Sequence, residues 1–299
     1  MRLSEAENIC SDHLDVINDC SFDSLYLVGK KIEKNRSYIS FIGSLKYIEN
    51  FLTYDMCGAI CTEEVARVLK DKFRGGIAIS ENPKKAFFEI HNYLGNCNFK
   101  NKKTYIDPTA RICASAIIAD TGVCIGENVI ISHNAVIKEG TYIGDDSIIR
   151  EGCVIGTPAF YYYGEGNERK LVDSTGTVRI GKNVELHANV VVEKGVMYGE
   201  TVIDDNTKID NMTLIGHDSQ IGKNCTIAGG TTVAGGVCFE DGAFAGVGVE
   251  IAPNVCIGQK AILSTGAAVT KDVESNQHVS GNFAVPHDLY IQHIKGISK

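Results

Sequence analysis

Large aliphatic side chains recur at every sixth position from about residue 104 onward, and this period limits the possible folds more than any other feature. An amphipathic helix needs apolar residues three and four positions apart, and a half-buried strand needs strict alternation. Neither pattern accounts for a period of six. The longest run has eleven positions, all large and apolar except Ala245: Ile203, Ile209, Ile215, Ile221, Ile227, Val233, Phe239, Ala245, Ile251, Ile257 and Leu263.

A period of six is typical of a hexapeptide β-helix, in which three short strands and three tight corners make one coil of about 18 residues. The residue at each sixth position points inward and stacks on its equivalent in the next coil. Because each coil buries its interior only against its neighbours, the array must be long and capped. Gly126 and Asn128 are examples of corner residues that tolerate positive φ. The sequence therefore predicts a mainly β fold, with a parallel β-helix of hexapeptide repeats over residues 104–272.

The regions outside this period differ in kind. Residues 1–103 alternate strand-like and helix-like runs, which predicts a small α/β domain; Asn82 followed by Pro83 marks one helix start. Residues 273–299 are predicted to form a cap with a short helix. Residues 157–179 interrupt the period with three consecutive tyrosines, and a loop of that length is usually functional or disordered. Its tyrosines either line a groove or pack as part of an ordinary loop.

Composition excludes several classes of protein. The 299 residues are 44% hydrophobic and 22% charged, the balance of a folded globular protein of about two domains. The net charge of -8 disfavours non-specific binding to nucleic acid or to an anionic membrane. No apolar run approaches the roughly 20 residues that a transmembrane helix needs. The N-terminus MRLSEAENICSDHLDV lacks a signal-peptide pattern, so we expect a cytoplasmic location.

Neither the cysteines nor the histidines predict a metal site or disulfides. The cysteines are odd in number, scattered and without a CxxC pair, so we interpret them as reduced core residues. No histidine spacing indicates a three-histidine zinc site. The eleven cysteines are Cys10, Cys20, Cys57, Cys61, Cys97, Cys113, Cys124, Cys153, Cys225, Cys238 and Cys256.

One stretch of the repeat, KIDNMTLIGHDSQIG over residues 208–222, carries a family resemblance. Together with the preceding α/β domain it resembles the hexapeptide-repeat acyltransferases, and among them the N-acyltransferases of lipid A synthesis. Those enzymes move a 3-hydroxyacyl chain from acyl carrier protein to the amine of a UDP-3-O-acyl-glucosamine. The resemblance implies left-handed coils, a homotrimer with sites between subunits, and acyl-CoA or acyl carrier protein as the donor. It implies no bound cofactor.

The same resemblance assigns catalytic roles. His217 lies where the family has its catalytic histidine, and imidazole, which titrates near pH 6.5, suits a general base. Gly235, one coil later, matches the family position whose backbone N–H binds the oxyanion, although a glycine there could simply make a turn. Asp210 could fix the imidazole tautomer, or it could be an ordinary corner aspartate.

Five residues are predicted to contact substrate. Phe41 and Tyr47 stand three residues either side of Ser44, at the spacing with which the family holds a uracil ring; both could instead be core aromatics. Because Ser44 replaces the family's asparagine, the choice between uridine and thymidine stays open. Asn211 belongs to the KIDN motif. Asn254 stands where the family has a second histidine near the substrate phosphate.

Departures at Ser44 and Asn254, at residues 281–284 and at the C-terminus weaken the lipid A assignment, so a CoA donor, a shorter acyl group or another amino sugar is also consistent. The leading hypothesis is an N-acyltransferase acting on a nucleotide-linked amino sugar, in lipid A or surface-glycan synthesis. One alternative is a CoA-dependent acetyltransferase for a non-nucleotide small molecule. The other is a non-catalytic β-helix scaffold.

Overall fold

A computed structural model describes residues 1–10, 12–27, 37–95, 102–281, 284 and 286–297. Cys97 and residues 282 and 283, which entered the sequence analysis, lie outside these ranges. The chain divides into two compact units. The first comprises Met1–Asn98, Phe160–Thr175 and Val196–Tyr198, and the second comprises Phe99–Ala159, Gly176–Gly195 and Gly199–Lys299. The three domains proposed from the sequence remain a prediction.

The first unit contains a five-stranded sheet in the order β1-β5-β4-β3-β2, parallel except for the edge strand β1. Helix α2 begins after Thr62, whose hydroxyl accepts a hydrogen bond from the Val65 N–H. The sequence analysis missed β1, because its side chains are mostly exposed and show no apolar alternation. The elements are β1 (Asp15–Asn18), β2 (Ser24–Leu25), β3 (Tyr38–Ile42), α1 (Ile48–Leu52), β4 (Gly58–Cys61), α2 (Glu63–Lys72), β5 (Gly76–Ile79) and α3 (Pro83–Gly95), with 3₁₀ turns at Leu3–Asn8 and Leu45–Tyr47.

The second unit is built from strands of two to four residues. A hairpin, β15 and β16, interrupts the series and belongs to the first unit. In chain order the strands are β6 (Tyr105–Ile106), β7 (Arg111–Ile112), β8 (Ile117–Ile118), β9 (Cys124–Ile125), β10 (Ile130–Ile131), β11 (Val136–Ile137), β12 (Thr141–Ile143), β13 (Ile148–Ile149), β14 (Val154–Thr157), β15 (Tyr162–Tyr163), β16 (Lys170–Leu171), β17 (Thr177–Ile180), β18 (Glu185–Leu186), β19 (Val191–Glu193), β20 (Glu200–Ile203), β21 (Lys208–Ile209), β22 (Leu214–Ile215), β23 (Gln220–Ile221), β24 (Thr226–Ile227), β25 (Thr232–Val233), β26 (Cys238–Phe239), β27 (Phe244–Ala245), β28 (Glu250–Ile251), β29 (Cys256–Ile257), β30 (Ile262–Leu263), β31 (Ala268–Val269) and β32 (His278–Val279). A 3₁₀ turn at Gly166–Glu168 lies within the hairpin, and α4 (His287–Ile297) follows the last strand.

The coil strands form three parallel sheets, which we number by their first strand: face 1 starts at β6, face 2 at β7 and face 3 at β8. Each strand pairs in register with its equivalent in the next coil, so that Ile209 lies beside Ile227 and Ile227 beside Ala245. All three of these side chains are fully buried. We name each corner by the faces it joins, for example corner 2-3.

The structure confirms the predicted fold class, a left-handed parallel β-helix of hexapeptide repeats preceded by a small α/β region. The inward side chains of the coil form one continuous apolar core. Ten cysteines lie in the described ranges, and each of the ten is a free thiol. No described helix is long and apolar enough to cross a membrane.

Ile227→Ala should lower the free energy of unfolding by about 2–5 kcal/mol, because it removes a fully buried side chain from a stack that cannot collapse. Thr226→Ala is the matched control, since Thr226 is exposed on the same two-residue strand and should change the free energy by less than about 0.5 kcal/mol. Thermal and urea unfolding of the full chain measure both. Equal destabilisation by the two variants would contradict the inward stack.

Candidate functional site

A histidine and an aspartate form a hydrogen-bonded pair at corner 3-1. His217 follows strand β22, and its Nδ1 lies 2.9 Å from Oδ2 of Asp218. The side chains are 25% and 13% exposed, so the pair is largely sheltered but still reachable. Since an ionised carboxylate can only accept, Nδ1–H donates to it and Nε2 carries the ring's lone pair. The geometry therefore holds an imidazole ready to accept a proton at Nε2.

The backbone of the pair is fixed by hydrogen bonds to neighbouring coils. The His217 N–H donates to Oε2 of Glu193 at 3.1 Å, and the Asp218 N–H donates to the buried Thr201 hydroxyl at 2.8 Å. Asp218 adopts a left-handed backbone conformation with φ of 59°. A β-carbon on Gly199 would overlap Oδ1 of Asp218. Gly199 therefore gives the carboxylate room to turn back towards the imidazole.

An ion pair between a buried lysine and a partly exposed glutamate lies on the same corner of preceding coils. Lys194 is 4% exposed, and its ammonium donates to Oε1 of Glu139 at 2.8 Å. Burial acts to raise the pKa of Glu139, but the hydrogen bond and charge of Lys194 outweigh it, and the pKa is lowered. In the register of the sheet, Lys194 occupies the position equivalent to His217. The polar pairs Lys194–Glu139 and His217–Asp218 therefore both lie along corner 3-1.

Gly235 lies directly against the imidazole, as the sequence predicted. A β-carbon built on it would lie 2.5 Å from His217 Nε2, so only glycine fits without moving the ring. Within the described ranges, the Gly235 N–H has no hydrogen-bond acceptor. One coil further, the Asn254 N–H donates to the Gly235 carbonyl at 3.1 Å. The structure therefore brings His217, Gly235 and Asn254 together on corner 3-1.

Asp210 does not fix the His217 tautomer within this chain, and that prediction is corrected by the structure. Asp210 follows strand β21 and lies at corner 2-3, with Oδ1 3.8 Å from Nδ1 of His187. Its carboxylate accepts hydrogen bonds from Asn211 and from the Gly229 N–H. One hexapeptide separates Asp210 from His217, and one hexapeptide leads to a different corner. Asn211 lies at corner 2-3 with Asp210, and it does not contact His217 within this chain.

Asp218 was missed in the sequence analysis for a local reason. Its position is a corner position, which most coils fill with Asn, Asp or Gly because the backbone there has positive φ. An aspartate at that position gives no signal of its own. Only the direction of its side chain, set by the left-handed backbone and by Gly199, distinguishes it from an ordinary corner residue.

The first unit contains a separate pocket of about 400 Å³, which we call the aromatic pocket. Phe41 and Tyr47 both line it, as does Phe88 from helix α3. The ring centroid of Phe41 lies 5.1 Å from that of Phe87 and 6.4 Å from that of Phe88. Tyr47 is 50% exposed, so it borders the opening of the pocket and is not a core residue. The structure thus brings the two predicted aromatics together.

Ser44 lies between Phe41 and Tyr47 in the sequence but does not line the aromatic pocket, and among the described residues its buried hydroxyl has no hydrogen-bond partner. Ser44 precedes the 3₁₀ turn Leu45–Tyr47 and does not cap it. The polar side chains that do line the pocket include Asn50 and Lys84, neither of which the sequence analysis identified. No spacing rule indicates them, because they come from separate helices.

The interrupting loop packs within the first unit. Tyr161 lines the aromatic pocket, and Tyr163 is buried with its ring stacked 5.5 Å from that of Phe88. Asn92 of helix α3 donates to the Leu171 carbonyl and accepts from the Asp173 N–H, both at 2.8 Å. The tyrosines therefore have two roles, since one lines the pocket and another packs against helix α3. Tyr162 remains 45% exposed.

In the described part of the chain, no three His, Cys, Asp or Glu side chains converge in a way that could hold a metal ion.

Two stretches of the repeat match a known protein family. Residues 122–157 and 200–235 match the family "Bacterial transferase hexapeptide (six repeats)". No curated protein matches the chain. The solved structures that resemble it include UDP-N-acetylglucosamine acyltransferase from Francisella novicida, with 27% identity, a TM-score of 0.39, and coverage of 59% of this chain and 67% of that one.

Two further structures cover more of this chain at lower identity. LpxA, a UDP-N-acetylglucosamine acyltransferase from Bacteroides fragilis, is 23% identical over 60% of this chain and 71% of its own, with a TM-score of 0.40. Perosamine N-acetyltransferase from Caulobacter crescentus, solved with CoA and GDP-perosamine, is 15% identical over 82% and 81%, with a TM-score of 0.23. At such TM-scores, these likenesses do not by themselves assign a substrate.

The family match confirms the prediction of an acyltransferase at the level of the transferase class. The second match, residues 200–235, contains both His217 and Gly235. By its repeat and its fold the chain is a hexapeptide-repeat protein, and two stretches of that repeat match the bacterial transferase hexapeptide family.

Proposed function

We propose that this protein is an N-acyltransferase that moves an acyl group from a thioester to the amine of a nucleotide-linked amino sugar. The observation that carries the proposal is the imidazole of His217, bonded through Nδ1 to Asp218 and with Nε2 directly against Gly235. This arrangement combines a base in a defined tautomer with an adjacent backbone N–H. Acyl transfer to an amine needs both.

In the proposed reaction, the amine nitrogen attacks the thioester carbonyl carbon, and Nε2 of His217 takes the amine proton. Asp218 then faces an imidazolium and stabilises it through the Nδ1–H hydrogen bond. As the C–S bond breaks, the imidazolium returns the proton to the leaving sulfur. The products are an amide and a free thiol, so the base is regenerated.

The tetrahedral intermediate carries a negative charge on the former carbonyl oxygen. The Gly235 N–H, which lacks an acceptor among the described residues, is the proposed donor to that oxygen. Removing one such donor typically costs about 10²–10³-fold in rate. Asn254, bonded to the Gly235 carbonyl, holds the orientation of this segment and remains a proposed substrate contact.

The aromatic pocket is the proposed site for the nucleotide base. A pocket of about 400 Å³ lies within the range for small-molecule sites, and aromatic faces suit stacking of a base. Phe41 and Tyr47, which line the pocket, are its proposed contacts, and Ser44 stays a proposed contact on the sequence pattern alone. The base itself, uracil or thymine, is left to the experiment.

The donor is proposed to be acyl-CoA or acyl carrier protein, with no bound cofactor. The pathway, lipid A or another surface glycan, follows from which amino sugar is accepted. A cytoplasmic location, expected from the sequence, is part of this proposal. An acetyltransferase for a non-nucleotide molecule and a non-catalytic scaffold are outcomes that the same assay distinguishes.

A homotrimer closed around face 3 is the proposed assembly. The outward residues of face 3 are apolar in five successive coils, and Ile117 is 63% exposed. A threefold arrangement about this face would place corner 3-1 of one copy beside corner 2-3 of the next. Asn211 would then lie at a neighbouring copy's His217, which is consistent with its proposed role in substrate binding. The five residues are Ile117, Val136, Val154, Val191 and Leu214.

The reaction is tested by incubating the protein with acyl-CoA and acyl carrier protein donors and a panel of UDP- and dTDP-amino sugars, with products weighed by mass spectrometry. A new amide mass is expected on one sugar. His217→Ala should lower kcat by about 10²–10⁴-fold, because the positioned base is lost. His133→Ala, at another corner, is the control. Full activity of His217→Ala would exclude this mechanism, and acylation of no sugar would favour the two alternatives.

Gly199→Ala should lower kcat on the order of 100-fold with KM unchanged, because the methyl group would displace the Asp218 carboxylate from the imidazole. Gly222→Ala is the matched control. A β-carbon there would lie 2.6 Å from Oδ1 of Asp241, at a corner without a catalytic histidine. A crystal structure of the variant should show the His217–Asp218 hydrogen bond broken. Equal losses of activity in both variants would indicate a general effect on the coil instead.

Sedimentation equilibrium should give a mass of three times 32.4 kDa. Leu214→Glu should dissociate the trimer, because it places a charge in the proposed apolar interface. Thr226→Glu, on the exposed surface of face 2, should leave the mass unchanged. A monomeric wild-type protein, or a trimer that withstands Leu214→Glu, would rule out an assembly through face 3.

A further inference from the structure

The aromatic pocket has a charge asymmetry that base stacking does not use. Lys84 is the one charged side chain among the described residues that line it, and none of those residues is acidic. The other lining groups are aromatic, aliphatic, glycine or uncharged polar residues such as Asn50. A pocket with an aromatic wall and a single cation is complementary to a ligand that has a flat ring and a separate negatively charged group.

Helix α3 places Lys84 beside the aromatic wall of the pocket. Lys84 lies in the first turn of helix α3, and Phe88 lies four residues later, so both side chains project on one face of the helix. Phe88 contacts the Phe41 and Tyr161 rings that form the aromatic wall. Lys84 therefore lies one helical turn from Phe88, on the face of helix α3 that borders the aromatic wall.

The neighbouring lysine has a different role. Lys85 is not among the residues that line the aromatic pocket, and its ammonium lies 3.0 Å from Oδ1 of Asp12. Among the described residues Lys84 takes part in no ion pair. The two adjacent lysines thus differ: Lys85 forms an ion pair with Asp12, whereas Lys84 lines the aromatic pocket.

We propose that Lys84 binds the diphosphate of the nucleotide whose base stacks in the aromatic pocket. The inference rests on the proposed function and extends it, since it assigns the anionic part of the substrate to a named cation. Binding would be by charge-assisted hydrogen bonds from the ammonium to phosphate oxygens. The ligand class is a pyrimidine nucleoside diphosphate, and the free nucleoside should bind more weakly.

Isothermal titration of the full chain with uridine, UDP, thymidine and dTDP tests this assignment. For the preferred base, the wild-type protein should bind the diphosphate at least about tenfold more tightly than the nucleoside, as expected for one charge-assisted contact. That gain should shrink with rising salt concentration. Lys84→Gln should remove most of the gain while leaving nucleoside affinity unchanged. Lys85→Gln, the matched control, should retain it.

The outcomes separate this inference from the proposed function. A nucleoside that binds in the wild type and is lost in Phe41→Ala supports the base site whatever Lys84 does. The role of Lys84 would be overturned if Lys84→Gln still bound the diphosphate more tightly than the nucleoside by the wild-type factor. It would also be overturned if Lys46→Gln lost that difference instead. Neither result would affect the base site. Lys46 is the relevant comparison because its ammonium lies 4.8 Å from the centroid of the Tyr47 ring. Binding of none of the four ligands by the wild type would overturn both proposals.

Discussion

The inward stack of aliphatic side chains is the constraint on which the rest of this structure depends. Each coil pairs in register with the next, so that residues one coil apart, such as Ile209 and Ile227, occupy the same place on the same face. A slip by one residue would turn every buried side chain outward. The stack therefore fixes the corners as straight columns, and a side chain at a corner has a defined neighbour one coil away.

The site at corner 3-1 follows from that column. His217 and Gly235 are in contact because they are one coil apart, and the in-register pairing of β22 with β25 places them side by side. Asp218 adds a contact that the register alone does not provide, since its carboxylate turns back on its own neighbour. The rigid coil holds both groups without relying on a mobile loop, which suits chemistry that requires a fixed base and a fixed donor.

The first unit illustrates a different way of building a site. Strand β3 contributes Phe41, the 3₁₀ turn after it contributes Tyr47, and helix α3 contributes Phe88 and Lys84. The loop that interrupts the repeat adds Tyr161 to the same wall. These side chains come from separate segments of the chain and converge only after the sheet and helices pack. A stacking surface beside one cation results, and the proposed nucleotide site combines the two.

The period of six was sufficient to predict the coil, the burial of its inward residues and the placement of His217 beside Gly235, because every step of a repeat has the same local geometry. The predicted contact between Asp210 and His217 did not follow from the period, since one hexapeptide separates them and one hexapeptide leads to a different corner. The partner of His217 and the lining of the aromatic pocket were decided only by the tertiary structure. The physical reason is that a left-handed corner sets the direction of the Asp218 side chain, and that Lys84 and Tyr161 reach the pocket through packing between distant segments.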